Sequence, residues 1–338
     1  VKLLQVVPRE AGLAGGVGQY AEVLGQALRR TGASARTLAV GPGQSPILAT
    51  ELGLLAQTSA ERAAVLVHYS NYGFARRGCP VAMVRHLVRW RRSQPAARLV
   101  GMFHEVFATG PPWRSSFWLS PVQTWLARHL ASACDETVTS LRVYGNQLGG
   151  LPGVHLRPVF STVGEPASLP GLGSRPPRLV VLGGAGNRLH LYRTAGQALK
   201  RACRDLAISE VIDVGPDLGG SAPLLDGVAF HQRGLLGAAE LSDLLLSSRA
   251  GAIWYPAPFL AKSTVFAAYC AHGMLPICLT GSPVDSPEGP QCGLHYWLAT
   301  ERAPTAPEVV ARAASTWYAG HGLALQAADY QRWLFPAT

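Results

Sequence analysis

Gly251-Ala-Ile-Trp-Tyr255-Pro-Ala-Pro-Phe-Leu-Ala-Lys262-Ser-Thr264-Val-Phe-Ala-Ala-Tyr-Cys-Ala-His-Gly273-Met-Leu275-Pro-Ile-Cys-Leu279 reads as a strand, a Pro-rich turn, a helix start, a small-residue helix and a second strand. The apolar run 251–255 is short and ends at a proline, as expected of a buried parallel strand. A strand that returns to a strand through a helix is the unit from which parallel sheets are built. Lys262, Ser263 and Thr264 fall where the helix would expose unpaired N–H groups. A cation, two hydroxyls and a helix dipole therefore converge on one candidate anion site.

Working outward, the same alternation fills the chain. Strands are expected at 2–7, 35–40, 65–68, 99–103 and 136–139, separated for the most part by helices near 17–31, 78–92 and 121–133. The segment 161–177 is too rich in Pro and Gly to sustain either element and reads as a linker. Beyond it the pattern starts again, with strands at 178–183, 210–214, 228–231, 251–255 and 275–279 and helices near 188–206, 238–248 and 263–272. The run 306–335 is helical and carries Trp317, Tyr318, Tyr330 and Trp333. The expected fold is α/β, with two doubly wound Rossmann-like domains facing across a cleft. Residues 1–160 with about 318–338 form one domain, 161–177 the linker, and 178–317 the other. In such sheets ligands sit beyond the carboxyl ends of the strands.

Bulk properties narrow the classes. A chain of 338 residues, 48% apolar and 15% charged, has room for two cores, and no stretch of about 18 apolar residues reads as a membrane span. The run 2–7 is a short strand followed by Pro8, Arg9 and Glu10, unlike a signal peptide, so a cytoplasmic protein is expected. Six scattered cysteines without a Cys-x-x-Cys pair argue against a zinc site and read as reduced thiols. The net charge of +10 favours an anionic partner: a phosphorylated ligand, nucleic acid or an acidic membrane face.

Two glycine-rich loops carry the next signal. Gly12-Leu-Ala-Gly15-Gly16-Val-Gly18-Gln-Tyr-Ala21 partly fits a dinucleotide fingerprint, but eight residues separate Val7 from Gly16 and no acidic residue ends the second strand. It reads either as a flexible turn or as backbone closing on a phosphate or sugar. Gly183-Gly184-Ala-Gly186-Asn187-Arg188 follows its strand directly and is the better phosphate cradle, although it lacks the third glycine. Arg188 and Arg193 would either reach an anion near the strand end or lie solvated on a helix face.

Taken in order, these motifs resemble a GT-B glycosyltransferase, most like the retaining family 4 that includes sucrose- and mannose-transferring enzymes. The loop Gly15-Gly16-Val-Gly18 is similar to that family's N-domain glycine loop. The segment His231-Gln-Arg-Gly234-Leu-Leu-Gly-Ala-Ala-Glu240 resembles a second family segment, and Arg188 and Arg193 stand at the family's Arg-x4-Lys spacing, where the pair binds the donor diphosphate. The resemblance implies a hexosyltransferase using a nucleotide-sugar as substrate and no further cofactor, and the lack of an Asp-x-Asp motif to hold a divalent ion makes metal-independent transfer the expectation. It places Gly15, Gly16, Gly18, Arg188 and Arg193 on the donor, where the residue reading adds Gly184, Gly186, Lys262, Ser263 and Thr264 at the phosphates, and it places a C-terminal helix back on the first domain. His104 falls at the family's position beside the transferred sugar, with Glu105 positioning it or touching the acceptor. The departure is at Leu260 and Ala268, which stand where the family usually has the two carboxylates of Glu-x7-Glu.

Acceptor candidates lie after two strands of the first half. His68-Tyr-Ser-Asn71-Tyr72-Gly73 and the aromatic loop 108–118, with Trp113, read either as an acceptor wall or as packing. The expected acceptor is a glycan or a lipid-linked hydroxyl, in polysaccharide or glycoconjugate synthesis. The basic run Arg85-His-Leu-Val-Arg89-Trp90-Arg91-Arg92 reads as a solvated helix face, as a peripheral contact with the anionic inner face of a membrane, or, least of the three, as a nucleic-acid contact. Two rivals to transfer remain: a non-catalytic GT-B-like scaffold, because both carboxylates are missing, and a nicotinamide-dependent oxidoreductase using Gly184, with Asp213 as its acid.

Overall fold

The computed structural model describes residues 2–9, 15–57, 63–108, 110–150, 153–220, 225, 227–281 and 289–336. Residues 12–14 of the first glycine loop and Thr109 of the aromatic loop lie outside them. The chain divides into two compact units, Val1–Pro158 with Leu323–Thr338, and Val159–Gly322.

In the first unit β1 (Lys2–Pro8), α1 (Gly16–Arg30), β2 (Ser34–Val40), α2 (Ser45–Ala56), β3 (Ala63–Ser70), α3 (Asn71–Phe74), α4 (Val81–Ser93), β4 (Arg98–Glu105), α5 (Ser115–Ala131), β5 (Glu136–Thr139), α6 (Arg142–Gln147) and β6 (Val154–Leu156) follow in turn. All strand pairs are parallel, in the order β2-β1-β3-β4-β5-β6. The central strand β3 is buried on both faces, which is why it reads as a continuous apolar run rather than an alternation. Val65, Val67 and Tyr69 pack there with Leu87 of α4 and Leu126 and Leu130 of α5. Helix α1 lays Tyr20, Ala21, Leu24 and Leu28 inward at helical spacing and ends on Arg29 and Arg30, which suit the negative end of its dipole.

The second unit runs β7 (Arg178–Leu182), α7 (Ala185–Asp205), β8 (Glu210–Val214), β9 (Ala229–Gln232), α8 (Ala238–Leu246), β10 (Ala250–Ile253), a 3-10 segment Ala257–Lys262, α9 (Thr264–Ala271), β11 (Leu275–Cys278), β12 (Trp297–Leu298) and α10 (Pro307–Ala319). Its parallel sheet has the order β12-β11-β10-β7-β8-β9, the doubly wound order in which the strand sequence reverses between β7 and β10. In the first sheet the reversal lies between β1 and β3. Leu179, Val181, Val211, Ala252 and Ile277 from the strands pack on Leu199 and Ala202 of α7. The Pro/Gly-rich segment 161–177 is tied to this unit: the Ser161 amide donates to the Tyr318 hydroxyl at 2.8 Å, and buried Arg175 donates to the carbonyls of Ser248 and Pro170.

The chain then returns to the first unit as α11 (Leu323–Leu334). Helix α11 packs on α1, β3 and β4. The Tyr20 hydroxyl donates to Gln326 Oε1 at 2.9 Å, Gln326 Nε2 donates to the Pro158 carbonyl at 2.7 Å, and Arg157 pairs with Asp329 at 2.6 Å.

Several elements depart from the sequence expectation. Helices α2, α3 and α6 and the short strands β6 and β12 add to it, α5 starts at Ser115 and carries Pro121 inside, and the expected Pro-rich turn after β10 is a 3-10 segment. The helical C-terminal run is two helices, broken between Ala319 and Leu323. No helix among the described residues is long and apolar enough to cross a membrane.

Candidate functional site

Ligand sites of doubly wound sheets form beyond the strand ends at the point where strand order reverses. In the second unit that point is bounded by the loop after β7 and by the chain leaving β10. Gly184 is the N-cap of α7, with no side chain closing it and no acidic residue in the first turn, so the first amides of α7 point out without an internal partner. Gly184 and Gly186 are exposed, and a Cβ at either would meet nothing within 4 Å. That surface leaves room for a bulky anion against the helix terminus.

Across the reversal, Lys262 ends the 3-10 segment with Nζ 5.9 Å from the Phe259 ring centre. Ser263, 6% exposed, is the N-cap of α9, and its hydroxyl oxygen accepts from the Phe266 amide at 3.2 Å. Thr264 is half-buried in the first turn. Between the two sides the rings of His190 and Trp254 meet edge to face at 4.1 Å. This contact was missed in the sequence, where Trp254 reads only as part of an apolar strand.

Arg188 is the main correction. It is buried, 1% exposed, and its guanidinium turns inward instead of toward an anion. Nε donates to the Gly183 carbonyl at 2.8 Å, while the terminal nitrogens meet the Asp213 carboxylate and the Pro216 carbonyl. Tyr192 completes the cluster by donating to the other Asp213 oxygen at 2.5 Å. Burial pushes the Asp213 carboxyl up, and the hydrogen bonds from Tyr192 and Arg188 pull it back toward the ionised form. Asp213 is fully buried in this cluster and so is not placed as the ribose acid that the oxidoreductase reading requires. Arg193, by contrast, is exposed on α7. Five residues of helix put it about 140° around the axis from Arg188, so the two do not act as a pair.

Leu260 and Ala268, the positions set against the two carboxylates of the resemblance, are both 0% exposed and lie in apolar packing. A glutamate in either place would be desolvated, so their absence belongs to the core of this unit and not to a bare surface.

The strand ends of the first unit hold the second group. Gly15 is the uncapped N-cap of α1, Gly16 opens the helix beside empty space, and Gly18 is buried. His104 is the last residue but one of β4, 8% exposed, with Nε2 3.3 Å from Nδ1 of His68 and its ring edge-on to Tyr20. Glu105 is exposed and accepts from Ser70 Oγ at 3.3 Å.

Asn71, 1% exposed, donates to Gln123 Oε1 at 3.2 Å. The Gln123 amide in turn donates to the Tyr72 hydroxyl and to the Arg77 carbonyl, and its oxygen accepts from the Ala108 amide. Gln123 therefore ties the loops after β3 and β4 together. Asn71 is part of that brace, whereas Tyr72 keeps 38% of its surface exposed and Trp113 83%.

No family model matches the chain, and no curated protein matches it in sequence. Solved structures do match along its whole length. A trehalose 6-phosphate synthase from Burkholderia multivorans superposes with a TM-score of 0.58 at 13% identity, covering 97% of this chain and 95% of its own. AviGT4, a glycosyltransferase of avilamycin A biosynthesis, gives 0.52 at 16% identity over 100% and 99% of the two chains. A UDP-GlcNAc 2-epimerase from Neisseria meningitidis, bound to UDP-GlcNAc, gives 0.53 at 9% identity over 100% of both. At such identities the likeness is one of fold, and the fold is the two-domain GT-B architecture.

Proposed function

We propose that the chain is a glycosyltransferase that moves a sugar from a nucleotide-sugar donor on the second unit to a hydroxyl of an acceptor on the first. The observation that carries this reading is the second switch point, where the uncapped start of α7 at Gly184 and the group Lys262, Ser263 and Thr264 gather hydrogen-bond donors and positive charge. A departing nucleoside diphosphate gains negative charge in the transition state, and donors fixed in advance stabilise it without reorganising. Arg193 adds charge on the same helix. In this reading the transfer needs no divalent ion, and Arg188 holds the loop rather than the phosphates. Proteins of the same fold, the epimerase above among them, carry UDP-sugars.

On the acceptor side His104 meets a sugar hydroxyl, and Glu105, Tyr72 and Trp113 line the approach. The partner is a glycan or lipid-linked hydroxyl, as in polysaccharide or glycoconjugate synthesis at the inner face of a membrane. Between positions 71 and 134 the chain has nine arginines and a single acidic residue, Glu105. Arg85, Arg89 and Arg92 of α4 line a groove of about 440 Å³ with Trp125 and His129 of α5. Trp118, Val122 and Trp125 expose 70%, 44% and 59% of their surface on the outer side of α5. Cations beside aromatic rings on helix faces suit the headgroup region of an anionic bilayer.

The test is a titration of the protein with UDP, GDP and their sugars, followed by melting temperature and by release of free nucleotide. Stabilisation of about 2.7 kcal/mol is expected at a hundredfold excess over Kd. If no nucleotide or nucleotide-sugar shifts the melt, transfer is ruled out and the chain is a non-catalytic GT-B-like binding protein.

A further inference from the structure

Three buried polar side chains cross the carboxyl edge of the first sheet on neighbouring strands. Gln5 of β1, His68 of β3 and His104 of β4 are 0%, 0% and 8% exposed. Their hydrogen bonds admit one direction only. The Ala21 carbonyl, which can only accept, lies 3.1 Å from Gln5 Nε2 and fixes the orientation of that amide. Gln5 Oε1 then faces His68 Nε2 at 3.0 Å, so Nε2 carries the His68 proton. His68 Nδ1 is left as an acceptor, and the ring atom 3.3 Å from it is His104 Nε2. That atom must donate.

We infer that Gln5 and His68 are positioning residues that hold His104 as its Nε2–H tautomer, so that any group meeting His104 Nδ1 has to be a donor, such as a sugar hydroxyl. The inference rests on the proposed place of His104 beside the transferred sugar. Burial, and then the charge of His104, keep His68 well below the ordinary histidine range, so it stays a neutral acceptor. Tyr20 stands edge-on to both rings, with centroids 5.8 and 5.2 Å away, and restricts their rotation. The sequence of α1 is adapted to the same chain: a Cβ on Gly25, one turn after Ala21, would overlap Gln5 Nε2.

Nitrogen NMR of the whole protein with labelled histidine tests this directly, because an unprotonated ring nitrogen resonates far downfield of a protonated one. Signals are assigned by loss in His68→Gln and His104→Gln. The expected pattern near neutral pH is protonated Nε2 and bare Nδ1 in both residues. A His104 protonated on Nδ1 in the native protein overturns the inference, whatever the variants do. Gln5→Glu supplies the second arm: its carboxylate would hold His68 protonated on both nitrogens, and His104 would shift to its Nδ1–H tautomer, taking a solvent proton at Nδ1 as Nε2 gives up its own, so that Nε2 accepts from His68. An unchanged His104 pattern in folded Gln5→Glu overturns the role given to Gln5. The functional reading fails separately, if His104→Gln leaves the pH profile of transfer unchanged while the tautomer pattern is as expected.

Discussion

Arg188 and Asp213 form an ion pair inside the second unit, 1% and 0% exposed, between the first turn of α7 and the end of β8. Removing one member of such a pair leaves the other charge buried without compensation, at a cost of about 3–5 kcal/mol. Arg188→Ala and Asp213→Asn are therefore expected to unfold the second unit at much lower urea, with any loss of transfer following from that. Arg188→Met combined with Asp213→Leu should recover most of the loss. A double variant no more stable than either single one would remove the pair from the stability of this unit.

Gly25→Ala is expected to destabilise the first unit by about 1–3 kcal/mol through overpacking, although alanine is the better helix former by about 1 kcal/mol. The cause is Gln5, whose amide occupies the space of the missing side chain. Gln5→Ala in the same chain opens that space, and the two losses should fall well short of additive in a denaturant cycle.

Acid should weaken both units. His68 and His272 are both buried with depressed folded-state affinity for protons, burial being the larger cause in each. His272 donates from Nδ1 to the Ala268 carbonyl at 2.8 Å and meets Ser242 Oγ at 2.9 Å. The unfolded chain takes up protons on these rings near pH 6.5 while the folded chain resists. Stability is complete above that value and falls as pH drops below it. Urea midpoints between pH 7.5 and 5 read the slope, which should lessen in His68→Gln and in His272→Gln.

Lys262→Ala should weaken nucleotide-sugar binding by about ten- to a hundredfold, the worth of one charge-assisted hydrogen bond, with the melting temperature of the unliganded protein little changed. Calorimetry with the nucleotide found in the screen measures it. An unaltered Kd would move the diphosphate away from the 3-10 segment.

Replacing Arg85, Arg89 and Arg92 by Gln should lower binding to vesicles containing anionic lipid by about a hundredfold, at about 1 kcal/mol per charge near the surface. Trp118→Ala with Trp125→Ala should weaken attachment to neutral vesicles as well. Sedimentation with neutral and anionic vesicles separates the two contributions, and binding of a nucleic-acid duplex in place of vesicles would reassign the surface.

Most of the strands were legible because parallel strands buried on both faces leave continuous apolar runs, as at 2–7 and 65–68. Helix α2 was missed because Gly41-Pro-Gly43 reads as loop, though Leu48, Leu52 and Leu55 sit at helical spacing behind it. Pro121 reads as a helix start, yet it lies inside α5, which begins six residues earlier at Ser115. At the candidate site the glycine starts of α1 and α7 could be read from spacing alone. The partners of Arg188, Asn71 and His104 could not: Asp213, Gln123 and His68 lie between 25 and 52 positions away, and nothing near any of them in the sequence marks the pairing. Their roles come from pairing across the sheet, which no local pattern records.

Helix α11 gives the two units an order of birth. Residues 159–322 leave the ribosome as one continuous piece and can close on themselves, whereas the earlier sheet must wait for Gln326 to meet Tyr20 and for Asp329 to meet Arg157. Domains usually mature from the N-terminus during synthesis. Here the later unit can be finished first, and the nascent earlier unit carries an open apolar flank along α1 until the helix arrives.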